Sequence, residues 1–142
     1  MSNAILATGT LIQMADAGGS VFTTLAELRS ISGPALTRNV NDVTTHNSVG
    51  GWEEALPGMA RSGEISFDIN YVPTEATHNN STGLVFVFRT NAKRNFKLIF
   101  SNVGATTWTF AGYVVGFEVG AEVDTALTAS VTIKPDGTMT LA

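Results

Sequence analysis

Cysteine is missing from all 142 residues, so disulfide staples and thiolate chemistry are excluded and a reducing compartment suits the chain. Charge is sparse too, at 14% of residues, which removes the dense ion-pair surface of long solvated helices. No apolar run approaches membrane-spanning length, so no membrane insertion is expected. No basic residue precedes the short apolar run at the N-terminus, which argues against a secretory signal. Plentiful Thr, Ser, Asn, Gly and Val suit pleated sheets with hydroxyl-rich faces. The length fits one domain, residues 1–142, with room for a real core.

A net charge of −4 disfavours tight, non-specific nucleic-acid binding, which relies on clustered Lys and Arg. The charges are segregated, however. Arg89, Lys93, Arg94 and Lys97 fall within nine positions without an acid among them, whereas residues 40–60 hold Asp42, Glu53 and Glu54 and no Lys or Arg. Ordinary solvated faces account for this pattern. So does a basic patch on one copy that meets an acidic patch on the next.

Strands dominate the periodicity. Ile5–Met14 reads as a first strand, Val21–Ser32 as a second, and Leu36–His46 as a strand that runs out into a long loop over 40–61. Glu64 to Val72 alternates cleanly, with Ile65, Phe67 and Ile69 on one face and Glu64, Ser66 and Asp68 on the other. Asn95–Ser101 and Thr106–Val119 follow. In the second of these, Gly112 and Gly116 share a face and could admit a bend or a close backbone approach. Ala126–Lys134 alternates again, and after the Pro135-Asp136-Gly137 turn Thr138–Leu141 returns as a short strand.

The segment from Pro73 to Asn91 gives conflicting signals. Leu84–Arg89 has the composition of a buried strand, yet Pro73 followed by Glu75 is a helix start, and Leu84, Val85 and Phe88 share a helical face. The fold expected is mainly β: a sandwich or partly closed barrel of seven or eight strands, with the Pro73–Asn91 segment open between strand and helix.

Catalytic constellations are lacking. There is no phosphate-cradling Gly loop and no nucleophile elbow. His46 and His78 are too far apart for a local metal motif and read as polar loop and helix residues. Glu53 and Glu54 are adjacent, so on an extended chain they point different ways and do not make a hydrolytic carboxylate pair. Neither an enzyme nor a bound cofactor or metal is expected. Trp108 and Phe110 share a face that Tyr113 does not, which favours core packing over a stacking platform.

The loop over 40–61 stands out because it carries Trp52, Leu56 and Met59, large apolar residues that an ordinary surface loop has no use for. A loop that docks on a neighbouring copy does use them. With Trp52, Leu56, Pro57 and Gly58 leading into Gly63 and the alternating strand, the chain resembles the lambda-like tail tube (major tail) proteins of long-tailed, non-contractile bacteriophages. Similar too are the Pro73-led segment with His78, Arg94-Asn95-Phe96-Lys97, Thr107-Trp108-Thr109-Phe110 with Gly116-Phe117, and Ala129 to Lys134. The resemblance runs from about Ser30 to the C-terminus.

It implies a helix at about 74–91 flanking the β-sandwich. It also implies hexameric rings, stacked head to tail into a hollow conduit through which DNA passes without specific binding. The implied partners are other copies and other phage tail proteins, and the implied location is the virion tail, with assembly in the host cytoplasm. On this reading Trp52, Glu53, Glu54, Leu56 and Met59 form one side of a subunit interface, with Arg94 and Lys97 on the other. Glu64 and Asp68 are the expected lumen-facing residues. A terminator or baseplate-proximal ring protein of the same fold is the near alternative, and a β-sandwich module binding glycans or a small ligand the distant one.

Overall fold

The computed structural model describes residues 2–141. It contains ten strands and one α-helix. In chain order the strands are β1 (Leu11–Ala15), β2 (Phe22–Thr24), β3 (Leu28–Ser32), β4 (Thr37–Asp42), β5 (Ala55–Arg61), β6 (Ile65–Asn70), β7 (Arg94–Ile99), β8 (Thr107–Gly120), β9 (Thr128–Pro135) and β10 (Thr140–Leu141), with helix α1 (Leu84–Thr90) between β6 and β7. The main sheet is ordered β2-β1-β7-β8-β9-β6-β3, with β10 paired to β8. Strands β4 and β5 pair only with each other among the described residues and form a separate two-stranded arm.

Alternation explains which face is buried. In β6, Ile65, Phe67 and Ile69 are buried while Ser66 and Asp68 are exposed. In β9, Ala129, Val131 and Ile133 repeat the pattern. These residues join Ile12, Phe96, Leu98, Phe110 and Val114 in one core, closed at the side by Leu84 and Val87 of α1. Phe96 and Phe110 are directly opposed across β7 and β8 and stack with centroids 5.6 Å apart. Strand β8, at 14 residues, bonds β7 and β10 through its first half and β9 through its second. A register shift between Val114 and Gly116 bends it. At Gly112 a Cβ would lie 2.6 Å from the Lys134 carbonyl, so only glycine permits this approach of β8 to β9.

Two additional strands bring the total above the seven or eight expected. The run Val21–Ser32 divides into β2 and β3, because Glu27 adopts φ 59° and turns the chain. The stretch 55–61, expected as loop, forms β5 despite Pro57 and Gly58. Proline is tolerated because a two-stranded ribbon leaves each strand one free edge. The first strand is also shorter than expected and begins at Leu11.

The helix is the largest correction. It spans seven residues rather than about 74–91, and residues 73–83 form successive turns. Asn79 is the cause: its Oδ1 accepts the amides of Ser81, Thr82 and Gly83, at 3.1, 2.8 and 3.1 Å, an alternative to helical bonding. At Gly83 a Cβ would come within 2.5 Å of the His78 and Asn79 amide nitrogens, so the chain crosses itself there on a residue without a side chain. Asn91, in the left-handed region, ends the helix by donating its amide toward Phe88 and Val87.

Candidate functional site

The arm leaves the body as a ribbon and ends in a tip over 43–54. Its neck is tied across the two strands by Thr44, whose hydroxyl accepts the Glu54 amide at 2.8 Å and donates to the Glu54 carbonyl at 3.2 Å. The Val43 amide donates to that same carbonyl at 3.0 Å. Asp42 accepts the Thr44 amide at 2.9 Å. Hydrogen bonding from Thr44, through its side chain first and then its backbone, holds the Asp42 carboxyl below its ordinary value.

Beyond the neck sits a single 3-10 turn, Val49–Gly51, and then Trp52. The indole is 78% exposed, and Leu56 and Met59 are exposed with it, although each is a residue type that normally seeks cover. Glu53 and Glu54 are exposed beside Trp52. The structure therefore groups Trp52, Glu53, Glu54 and Leu56 at the distal end of the arm, with Met59 further back toward its root.

Arg89, Lys93, Arg94 and Lys97, clustered in sequence, are dispersed in the fold. Arg94 shares the face of β7 that carries buried Phe96 and Leu98, and its guanidinium reaches the Ala15 carbonyl at 3.5 Å. Lys97 lies on the opposite face, its Nζ 4.1 Å from the centroid of the Phe22 ring. Lys93 pairs with Asp136 at 2.8 Å, which raises its pKa above the ordinary lysine value. Arg89 bonds Asn80 at 2.9 Å. Period-2 alternation separates Arg94 from Lys97, three positions apart, and each is already engaged within its own chain.

Glu64 and Asp68 are both exposed on the polar side of the sheet, Glu64 just ahead of β6 and Asp68 within it. Register aligns Ser30, Asp68, Ser130 and Glu118 in one row across β3, β6, β9 and β8. The Ser30 hydroxyl donates to one Asp68 oxygen at 3.0 Å and the Ser130 hydroxyl to the other at 2.8 Å. This surface is acidic and lined by short hydroxyl side chains.

One structural residue was misread from sequence. His78, read as a polar helix residue, lies in the 73–83 turns and is fully buried. Its Nδ1 accepts the Val72 amide at 3.2 Å, so its Nε2 carries the proton and donates to the Ala26 carbonyl at 2.9 Å. The neighbouring Thr77 hydroxyl accepts the Ala26 amide at 3.2 Å. Thr77 and His78 thus hold both backbone groups of Ala26 and fix the 73–83 segment to the β2–β3 turn. A Thr-His pair in a segment of weak helical pattern was the only signal available.

The family model for the lambda phage tail tube protein matches residues 7–142. The chain belongs to that family. It is a tail tube protein, a structural component of the virion. No curated protein sequence matches. Solved structures share the fold at low identity. The tail protein of an empty gene transfer agent particle, refined with C6 helical symmetry, is 20% identical with a TM-score of 0.77, covering 98% of this chain and 99% of that one. A chain of the native gene transfer agent virion is 18% identical, TM-score 0.76, with coverage of 98% and 99%. A chain of the anti-feeding prophage baseplate, 14% identical, gives 0.71 over 100% of this tail tube protein and 97% of its own length.

Proposed function

We propose that this tail tube protein assembles into hexameric rings that stack head to tail into a hollow conduit for DNA, in a structural and not a catalytic role. The observation that carries the reading is the arm. It lies outside the main sheet and presents Trp52, Leu56 and Met59 to solvent, so its apolar surface is buried only when another copy covers it. The free edge of β3 offers a second site at which a neighbouring strand can pair.

In this reading Trp52, Leu56 and Met59 are the apolar anchors of the interface, and Glu53 and Glu54 are the acidic groups of the arm. The row with Asp68, together with Glu64, faces the lumen, where an acidic wall lined with hydroxyls lets phosphates slide past instead of holding them. Assembly takes place in the host cytoplasm, and other tail proteins meet the ends of the tube. Electron microscopy of the concentrated protein tests this. Tubes of stacked rings are the expected result, whereas a permanently single ring or a monomer at every concentration would overturn it.

A further inference from the structure

The arm is electrically polarised. Arg38 and Arg61 stand at its root, and Asp42, Glu53 and Glu54 stand at or near its tip. The root borders a groove of about 890 Å³ between the arm and the body, lined by Leu36, Arg38, Met59, Arg61, Lys134 and Leu141 among others. The groove is apolar with a basic rim. Among the described residues Arg38 reaches only the Gly58 carbonyl, at 2.8 Å, and Lys134 only the Gly63 carbonyl, at 3.2 Å. Among the described residues the Lys93–Asp136 pair is the one ion pair, so no described carboxylate neutralises this rim.

We infer that the occupant of this groove is the arm tip of a second copy, with Trp52 seated among Leu36, Met59 and Leu141 and with Glu53 and Glu54 against Arg38, Arg61 and Lys134. The inference rests on the assembly reading above and names the acceptor surface within it. The tip cannot fill its own groove. The six residues of β4 separate tip from root, about 20 Å of ribbon at the usual rise per residue. Tip and groove also match in both respects that matter: one bulky apolar group flanked by two acids, and an apolar floor flanked by three bases. Each copy carries one tip and one groove, which is the head-to-tail arrangement that propagates into rings or filaments. Arg94 and Lys97 are poorer acceptors, because they lie on opposite faces of β7 and are already engaged.

The absence of native cysteine allows a direct test by mixing single-cysteine variants under mild oxidation. Glu54→Cys with Arg61→Cys is expected to give about tenfold more inter-chain disulfide than Glu54→Cys with Lys97→Cys, because docking raises the effective concentration of one pair only. In parallel, Glu53→Lys with Glu54→Lys should abolish assembly. Adding Arg38→Glu with Arg61→Glu should restore it, and adding Arg94→Glu with Lys97→Glu should not. Wild-type tubes with equal or reversed crosslinking yields would overturn the groove while leaving the tube reading intact. No assembly of the wild type and no crosslink above that of dilute protein would overturn both.

Discussion

Removing the His78 imidazole would leave the part-buried Val72 amide and Ala26 carbonyl without their partner and open a cavity beside Tyr71. His78→Ala is therefore expected to destabilise the subunit by about 3 kcal/mol, read from the urea midpoint at unchanged slope. Asp42 acts at the neck of the arm and carries a pH dependence. Its folded pKa lies below the ordinary 3.8, so its contribution is complete above that value and disappears as pH falls through the folded pKa. Amide exchange at Val43, Thr44 and Glu54 should keep its protection down to about pH 4 and lose it below, and Asp42→Asn should remove that acid step.

Among the elements, the arm and the body answer to different forces. The body is a continuous hydrophobic core, whereas the arm is a two-stranded ribbon with little cover, marginal as an isolated unit. Trp52→Ala is thus expected to leave the unfolding free energy of the monomer, measured by denaturation, within about 0.5 kcal/mol of wild type while blocking tube formation. Loss of subunit stability would instead show that the indole supports the fold. Strand β8 is the opposite case. Gly112→Ala sets a methyl 2.6 Å from the Lys134 carbonyl at the strand crossing. A loss of about 1–3 kcal/mol is expected, measured by thermal or chemical denaturation, without any specific effect on the arm.

For the whole molecule the expected signature is growth without an endpoint, since head-to-tail stacking has no closing step. Sedimentation should show large species appearing above a threshold concentration. Exposed ion pairs contribute weakly one by one and are screened by salt, whereas burial of Trp52, Leu56 and Met59 is not. Raising ionic strength should therefore slow assembly and raise the threshold without abolishing tubes. Complete disassembly by moderate salt would show that charge, not the apolar tip, carries the interface.

The chain's period-2 runs determined the alternating strands, the buried faces of β6 and β9 and the mainly β class, because burial on one side of a sheet writes itself into every second residue. The exposed Trp52 was legible for the same kind of reason: a large apolar residue among glycines and acids has no local partner. Tertiary structure decided the rest. The length of α1 depended on the Asn79 side chain capturing three amides, which competes with helix only when the chain folds back over Gly83. His78 became a buried staple because Ala26, 52 positions away in sequence, was brought to its ring. The four clustered bases dispersed because strand alternation and the contacts with Asn80, Asp136, Ala15 and Phe22 gave each a different neighbour. Arg38 and Arg61, by contrast, met at one root only through pairing of β4 with β5, and Lys134 joined their groove from β9. Short-range periodicity fixes which way a side chain points, and only long-range pairing fixes what it meets.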